Sequence, residues 1–347
     1  MATGRGIEPF DRCPALDGYH CNTNSLMKIY HRNDRPLSED MLLGLGAGMS
    51  FIYWHPKGGY PFVGGRGNNK GFYSDLGRRT GVKIIEVSTG SGKKAEAALV
   101  ERLRRREPVM VYGDMGCLPW FDMPEGYHFG GHTFVICGYD GDSHVLVSDM
   151  DPKACGLKKG FYSAATLAQL RLARGSKEKP FPPGNRYFDF DFGGYHDPAP
   201  EDINESIRQA ADAMLNPPIK NLGVSGIRHA ARELLKWPDK FDDNSLMMNL
   251  FNLYVFIEIG GTGGGCFRYM YARFLRESAQ ITGNQRLQDA SKILIRSGQS
   301  FTEVGMLFHD YGDASDLSDR ISRASDLLMR TAAIEEETFK TLRSSIA

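Results

Sequence analysis

Net charge is missing from this sequence altogether: 42 Lys and Arg offset 42 Asp and Glu in a chain of 347 residues. That balance removes the usual electrostatic reason to expect nucleic acid or an anionic membrane as partner. No run of about 18 apolar residues occurs, so no segment reads as a transmembrane helix. Met1 to Asp11 is polar and contains glycine, with no apolar signal core, and a cytoplasmic location is the expectation. Cys-x-x-Cys pairs are absent too. The six cysteines, at 13, 21, 117, 137, 155 and 266, are therefore expected as free thiols in a reducing compartment. No period of 20 to 50 residues repeats, which excludes a solenoid.

What is present divides at the middle of the chain. The first half alternates helical and strand patterns. Helices are expected from Asn24 to Tyr30, from Ser38 to Leu45 and from Lys93 to Arg106, the last ending in a solvated basic cluster at Arg102 and Arg104 to Arg106. Strands are expected at Phe51 to Trp54, Val82 to Val87, Val109 to Tyr112, His132 to Tyr139 and His144 to Ser148. Asp140-Gly141-Asp142 joins the last two as a hairpin turn. The segment from Gly58 to Gly71 reads as a long loop, and the proline-rich stretch 175–200 as a connection with a short strand near Tyr187. Beyond it, three-four apolar spacing predicts helices almost to the end. The fold class is thus α+β with an antiparallel sheet in a domain at 1–195, then a helical domain at 196–347.

Three stretches carry chemistry. Gly18-Tyr19-His20-Cys21-Asn22-Thr23 places a cysteine where a loop turns into a helix, whose unpaired amides favour a thiolate. Gly130-Gly131-His132-Thr133-Phe134 opens an apolar strand with a histidine. Val145-Leu146-Val147-Ser148-Asp149 ends the next strand with an acid. A hairpin between the last two sets a base beside its orienting acid, so Cys21, His132 and Asp149 are the candidate nucleophile, base and orienter. Asp151, two residues on, is the rival acid. Two weaker features accompany them. Thr262 to Gly265, with Arg268 one turn into the following helix, is a candidate anion site through Thr262, Gly263, Gly264 and Arg268. It is no Walker A loop, because no Lys-Ser/Thr follows. His128 and His132 have metal-like spacing, but no cysteine or carboxylate cluster completes a site, so no metal is expected.

These residues resemble a known family. His20-Cys21-x-Thr23-x-Ser25-Leu26, Leu43-Gly44-Leu45-Gly46-Ala47-Gly48 with Phe51 to Trp54, and Gly131-His132 are similar to the N-terminal domain of butirosin biosynthesis protein H. Glu258-Ile259-Gly260-Gly261-Thr262-Gly263-Gly264-Gly265-Cys266-Phe267-Arg268 resembles the domain that accompanies it. The resemblance implies a papain-like fold and an acyltransferase. Such an enzyme takes an acyl group from the phosphopantetheine thioester of an acyl carrier protein and delivers it to an amine of a small molecule, with no bound cofactor of its own. It makes Cys21 the acyl acceptor, His132 the base and acid, and Asp149 the orienter. The oxyanion-hole Gln usual in papain-type enzymes has no counterpart among Cys13 to His20, which leaves the Cys21 amide, with Asn22 or another donor, to serve. The runner-up is a peptidase or amidohydrolase with the same triad, in which water replaces the amine.

Overall fold

The structure is a computed structural model that describes residues 6–151, 154, 156–310 and 316–346. The chain starts with α1 (Cys21–Arg32) and α2 (Glu39–Leu45), then β1 (Met49–Trp54), β2 (Phe62–Arg66) and α3 (Phe72–Thr80). Next come β3 (Lys83–Val87), α4 (Gly92–Arg104), β4 (Val109–Gly113), β5 (His132–Tyr139), β6 (His144–Met150), β7 (Gly160–Thr166), α5 (Leu167–Gly175) and β8 (Tyr187–Asp191). Helices follow: α6 (Pro200–Leu215), α7 (Gly223–Leu234), α8 (Trp237–Lys240), α9 (Asp243–Tyr254), α10 (Arg268–Thr282), α11 (Gln285–Met306) and α12 (Leu317–Ser345). Among the described residues no helix is long and apolar enough to cross a membrane.

Two compact units result, and they do not follow the expected cut. The first holds 1–42 and 81–195, the second 43–80 and 196–347. The uninterrupted first domain expected at 1–195 therefore gives way to one with an excursion. Close approaches at two glycines hold 43–80 together and tie it to α10. A Cβ at Gly44 would stand 2.2 Å from the Phe274 ring, and one at Gly46 would stand 2.2 Å from Phe72. Only glycine lets the end of α2 pack so closely on aromatic side chains of the second unit. The region read as a loop also acquires structure, since β2 pairs antiparallel with β1 and α3 follows directly. Alternation is masked in β2 by Gly64 and Gly65, which is why its period was illegible.

In the first unit six antiparallel strands run in the order β3-β8-β4-β5-β6-β7. The stretch expected as a connection supplies β8, an interior strand of this sheet. Phe134 and Ile136 of β5, Val145 and Val147 of β6, and Val109 and Val111 of β4 form a core with Leu99 and Leu103 of α4 and Leu170 and Ala173 of α5. Thr133 points to the opposite face, where its hydroxyl meets Ser25 of α1 at 3.5 Å. Three N–H groups, of Asp142, Ser143 and His144, converge on Asp140 Oδ1 and close the hairpin that sets β5 against β6.

α1 is buried almost all round, and its buried residues include Asn22, Thr23, Asn24, Ser25 and Lys28. Hydrophobic burial alone does not hold such a helix, because each desolvated polar group needs a partner. Asn24 donates to the carbonyls of Leu16 and Asp17, and Thr23 donates to Glu39 at 2.9 Å. These bonds fix the helix carrying Cys21 in one register. In the second unit the corresponding anchor is ionic. Arg268 is fully buried and pairs with buried Glu335 through Nε at 2.8 Å and Nη2 at 2.9 Å.

Candidate active site

Cys21 is the first residue of α1, and the preceding His20 is extended, with φ −127° and ψ 124°, and makes no side-chain cap. The helix start is thus left open toward the thiol. His132 opens β5 opposite Gly113 of β4. Val135 pairs with Ser148, and continuing that register sets Phe134 across from Asp149, with His132 two residues further along the same face. The diagonal suits a side chain as long as histidine, and His132 Nε2 meets Asp149 Oδ2 at 2.9 Å. Both groups are buried. Asp151 is exposed and lies beyond the end of β6, and Asp149 is the acid that meets the ring. The turn expected at Pro152 lies outside the described residues.

The thiol of Cys21 hydrogen-bonds to His132 and accepts the N–H of Thr133. Burial raises its pKa, but the hydrogen bond to His132 and the charge of that ring outweigh it, so the pKa lies below the usual thiol value. His132 is shifted the other way. Burial lowers its pKa, and the Asp149 charge and hydrogen bond, with Cys21, overcome that and raise it to about 10. His132 is thus the stronger base of the two, so a proton shared by the pair rests on the imidazole and leaves the sulfur as thiolate. Cys13 is lowered too, by a hydrogen bond from Cys137, but its side chain is buried. Cys117 and Cys266 are raised by burial, Cys266 to about 12. Cys21 is only half-buried, so among the described cysteines it is the lowered thiol within reach of a reagent.

Sequence reasoning missed the residues that hold this pair in place. Trp120 Nε1 donates to Asp149 Oδ2 at 3.0 Å, the same oxygen that meets His132. The Phe121 ring stands edge-on to His132 at 5.1 Å, and Phe134 stacks on it at 6.0 Å. Buried Glu39 accepts the N–H groups of Tyr19 at 2.6 Å and His20 at 3.2 Å, fixing the turn that leads into Cys21. Burial, opposed by those bonds, raises the Glu39 pKa to about 7. No short-range pattern marks these residues. The one local signal is a tryptophan 12 positions before the histidine.

The expected anion site needs correction. Thr262 donates to the Ile257 carbonyl at 2.6 Å and accepts the Gly264 N–H at 3.2 Å. The Gly265 N–H goes to Glu258 Oε1 at 2.9 Å. Arg268 spends its remaining nitrogen on the Ser50 and Cys266 carbonyls, at 3.1 and 2.8 Å. Thr262, Gly263, Gly264 and Arg268 therefore sit in a buried turn whose donors meet internal acceptors, Glu258 and Glu335 among them. Gly263 and Gly264 have φ of 69° and 81°, so the glycines serve backbone geometry. His128 and His132 part company as well: His128 Nδ1 meets Asp114 Oδ2 at 2.8 Å. Asp114, Cys117 and His128 come close enough to share a metal ion. The Asp114 carboxylate is already engaged by Ser176, His128 and the N–H groups of Gly116 and Phe129.

Comparison with known families adds to this geometry. Residues 20–150 match the family described as butirosin biosynthesis protein H, N-terminal, and residues 168–342 match a domain of unknown function, DUF4872. The chain belongs to the butirosin biosynthesis protein H-like family. No curated protein matches it. The first match begins one residue before Cys21 and ends one residue after Asp149, so it contains all three candidate residues. Membership in this family points to an enzyme of a biosynthetic reaction.

Proposed function

We propose that the first unit is a papain-like thiol acyltransferase that joins a thioester-bound acyl group to an amine through a Cys21 acyl-enzyme. The observation that carries the reading is the arrangement of an accessible thiol at an uncapped helix start, bonded to a histidine that Asp149 holds at 2.9 Å. Attack by the Cys21 thiolate on a thioester carbonyl gives a tetrahedral oxyanion. Glu39 already takes the Tyr19 and His20 amides, so the Cys21 amide, which has no acceptor within the helix, faces that charge. Collapse breaks the donor C–S bond, and the departing thiolate takes a proton from the His132 imidazolium. The amine then attacks the acyl-enzyme while neutral His132 accepts its proton, and the amide leaves with Cys21 restored as thiolate. Asp149 keeps the ring oriented throughout.

The name of the matching family supports a biosynthetic role; in this reading an acyl carrier protein's phosphopantetheine thioester is the donor and a small-molecule amine the acceptor. Hydrolysis by the same triad is the competing outcome, since water attacks the same acyl-enzyme. Incubation with an acyl-thioester, followed by intact mass, should show one acyl group on wild-type protein and none on Cys21→Ser. Addition of amines should discharge the adduct faster than buffer does. An adduct that forms from ordinary peptides and decays to free acid at a rate independent of amine would replace transferase by hydrolase.

A further inference from the structure

The start of α4 presents an unusual arrangement. Its first turn carries Lys93 and Lys94 and no acid, so positive charge stands where the helix dipole is already positive. Ser91 caps only the Lys94 N–H, at 3.3 Å. As the first two residues of the helix, Gly92 and Lys93 have N–H groups with no intrahelical acceptor. Beside this turn is a narrow cleft lined by Gly92, Glu96, Leu170, Arg171, Arg174 and Asn185.

Arg174 is the second, independent feature. It is 3% exposed, and neither Nε nor Nη2 has a hydrogen-bond partner among the described residues. Burial pushes its pKa down to about 10, with only Tyr187 and Glu96 opposing the shift. Glu96 itself is held by both arms of Arg171, at 2.8 Å each, so its charge is already balanced. A desolvated guanidinium without acceptors is costly, and a tetrahedral oxyanion supplies several at once. Asn185 braces the cleft, donating through Nδ2 to the Thr89 carbonyl at 3.1 Å and through its backbone N–H to the Arg174 carbonyl at 2.9 Å.

We propose that the cleft between α4 and α5 binds a phosphate group, held by the Gly92 and Lys93 amides and by Arg174 Nε and Nη2. The site stands apart from the acyl-transfer reading, because none of its residues touches Cys21, His132 or Asp149 in that scheme. Calorimetric titration of the full chain with inorganic phosphate, at ionic strength held constant with chloride, tests it. Binding to the wild-type protein should weaken at least tenfold in Arg174→Met. It should weaken similarly in Gly92→Pro, which removes one amide at a helix position where proline is well accommodated. Without phosphate, Arg174→Met should melt no lower than wild type, since an apolar side chain replaces an unpaired buried charge. Should that variant fail to fold, Gly92→Pro decides. A competing titration with 4′-phosphopantetheine separates two sources of the group: displacement at lower concentration than free phosphate identifies an ester, and equal displacement identifies the free anion. Absence of phosphate binding to wild type, or unchanged affinity in Gly92→Pro, overturns the proposal.

Discussion

Glu39 offers a quantitative handle on the turn that positions Cys21. Its carboxylate accepts two backbone N–H groups and the Thr23 hydroxyl, yet burial still raises its pKa from 4.5 to about 7. The charged groups that act with it are Asp40, which raises the pKa further, and buried Lys28, with which it interacts favourably. A raised folded-state pKa means that the folded protein binds the proton more tightly than the unfolded chain. The stability from this group is complete below pH 4.5 and is lost as pH rises through about 7. At about 1.4 kcal/mol per pH unit, the interval from 4.5 to about 7 corresponds to about 3 kcal/mol. Glu39→Gln keeps the shape and removes the titration. Urea denaturation at pH 4.5 and pH 8 should therefore show the wild type losing about 3 kcal/mol more than the variant over that range. Equal losses in the two proteins, within about 0.5 kcal/mol, would refute the reasoning and mean that Glu39 ionises normally in the folded state.

Three further outcomes follow from the same geometry. Asp149→Ala should reduce acyl transfer by about 10²- to 10⁴-fold while Asp151→Ala stays near wild type, as read by single-turnover acylation of Cys21; a larger effect at Asp151 would exchange their roles. Trp120→Phe deletes one donor from Asp149 while keeping an aromatic ring. It should slow acylation about tenfold, about 1.4 kcal/mol in the barrier, and move the alkaline limb of the Cys21 alkylation profile upward, because a less solvated carboxylate holds the His132 proton more firmly; an unchanged profile would reduce Trp120 to packing. Arg268→Met leaves Glu335 buried without its partner and should cost about 3 to 5 kcal/mol in denaturant unfolding, much of it recovered in the double variant with Glu335→Leu; a neutral single variant would contradict the pairing.

How legible the fold was depends on where the partners lie in sequence. Strands β4, β5 and β6 are apolar runs bounded by turns, and their register follows from a hairpin whose turn residues are adjacent. The diagonal that joins His132 to Asp149 could therefore be anticipated from 18 residues of sequence. β7 was not anticipated, because its GFYSAAT lacks a strong alternation and its pairing with β6 supplies the ordering. The excursion at 43–80 was illegible for a related reason. Gly44 and Gly46 read as a helix stop, and the aromatic rings that demand them come from Phe274 and Phe72.

The glycine loop and the cysteine pose the same physical question. Each is a turn rich in free amides, and sequence alone shows the donors without showing what accepts from them. At 262–265 the chain supplies its own acceptors, since Glu258 takes the Gly265 N–H and the Thr302 hydroxyl, and Thr262 takes the Gly264 N–H. At Tyr19 and His20 the chain does the same with Glu39, 19 residues or more away. The difference lies one residue later. His20 offers α1 no side-chain cap, so the amide of Cys21 stays open just where the internal carboxylate stops. An internal acid that consumes the neighbouring amides also fixes the one that is left, which makes the open position more rigid than a free loop would be. The useful question at each such turn is which amides the chain's own carboxylates leave unclaimed. The start of α4 belongs with Cys21 by that criterion and the glycine loop does not.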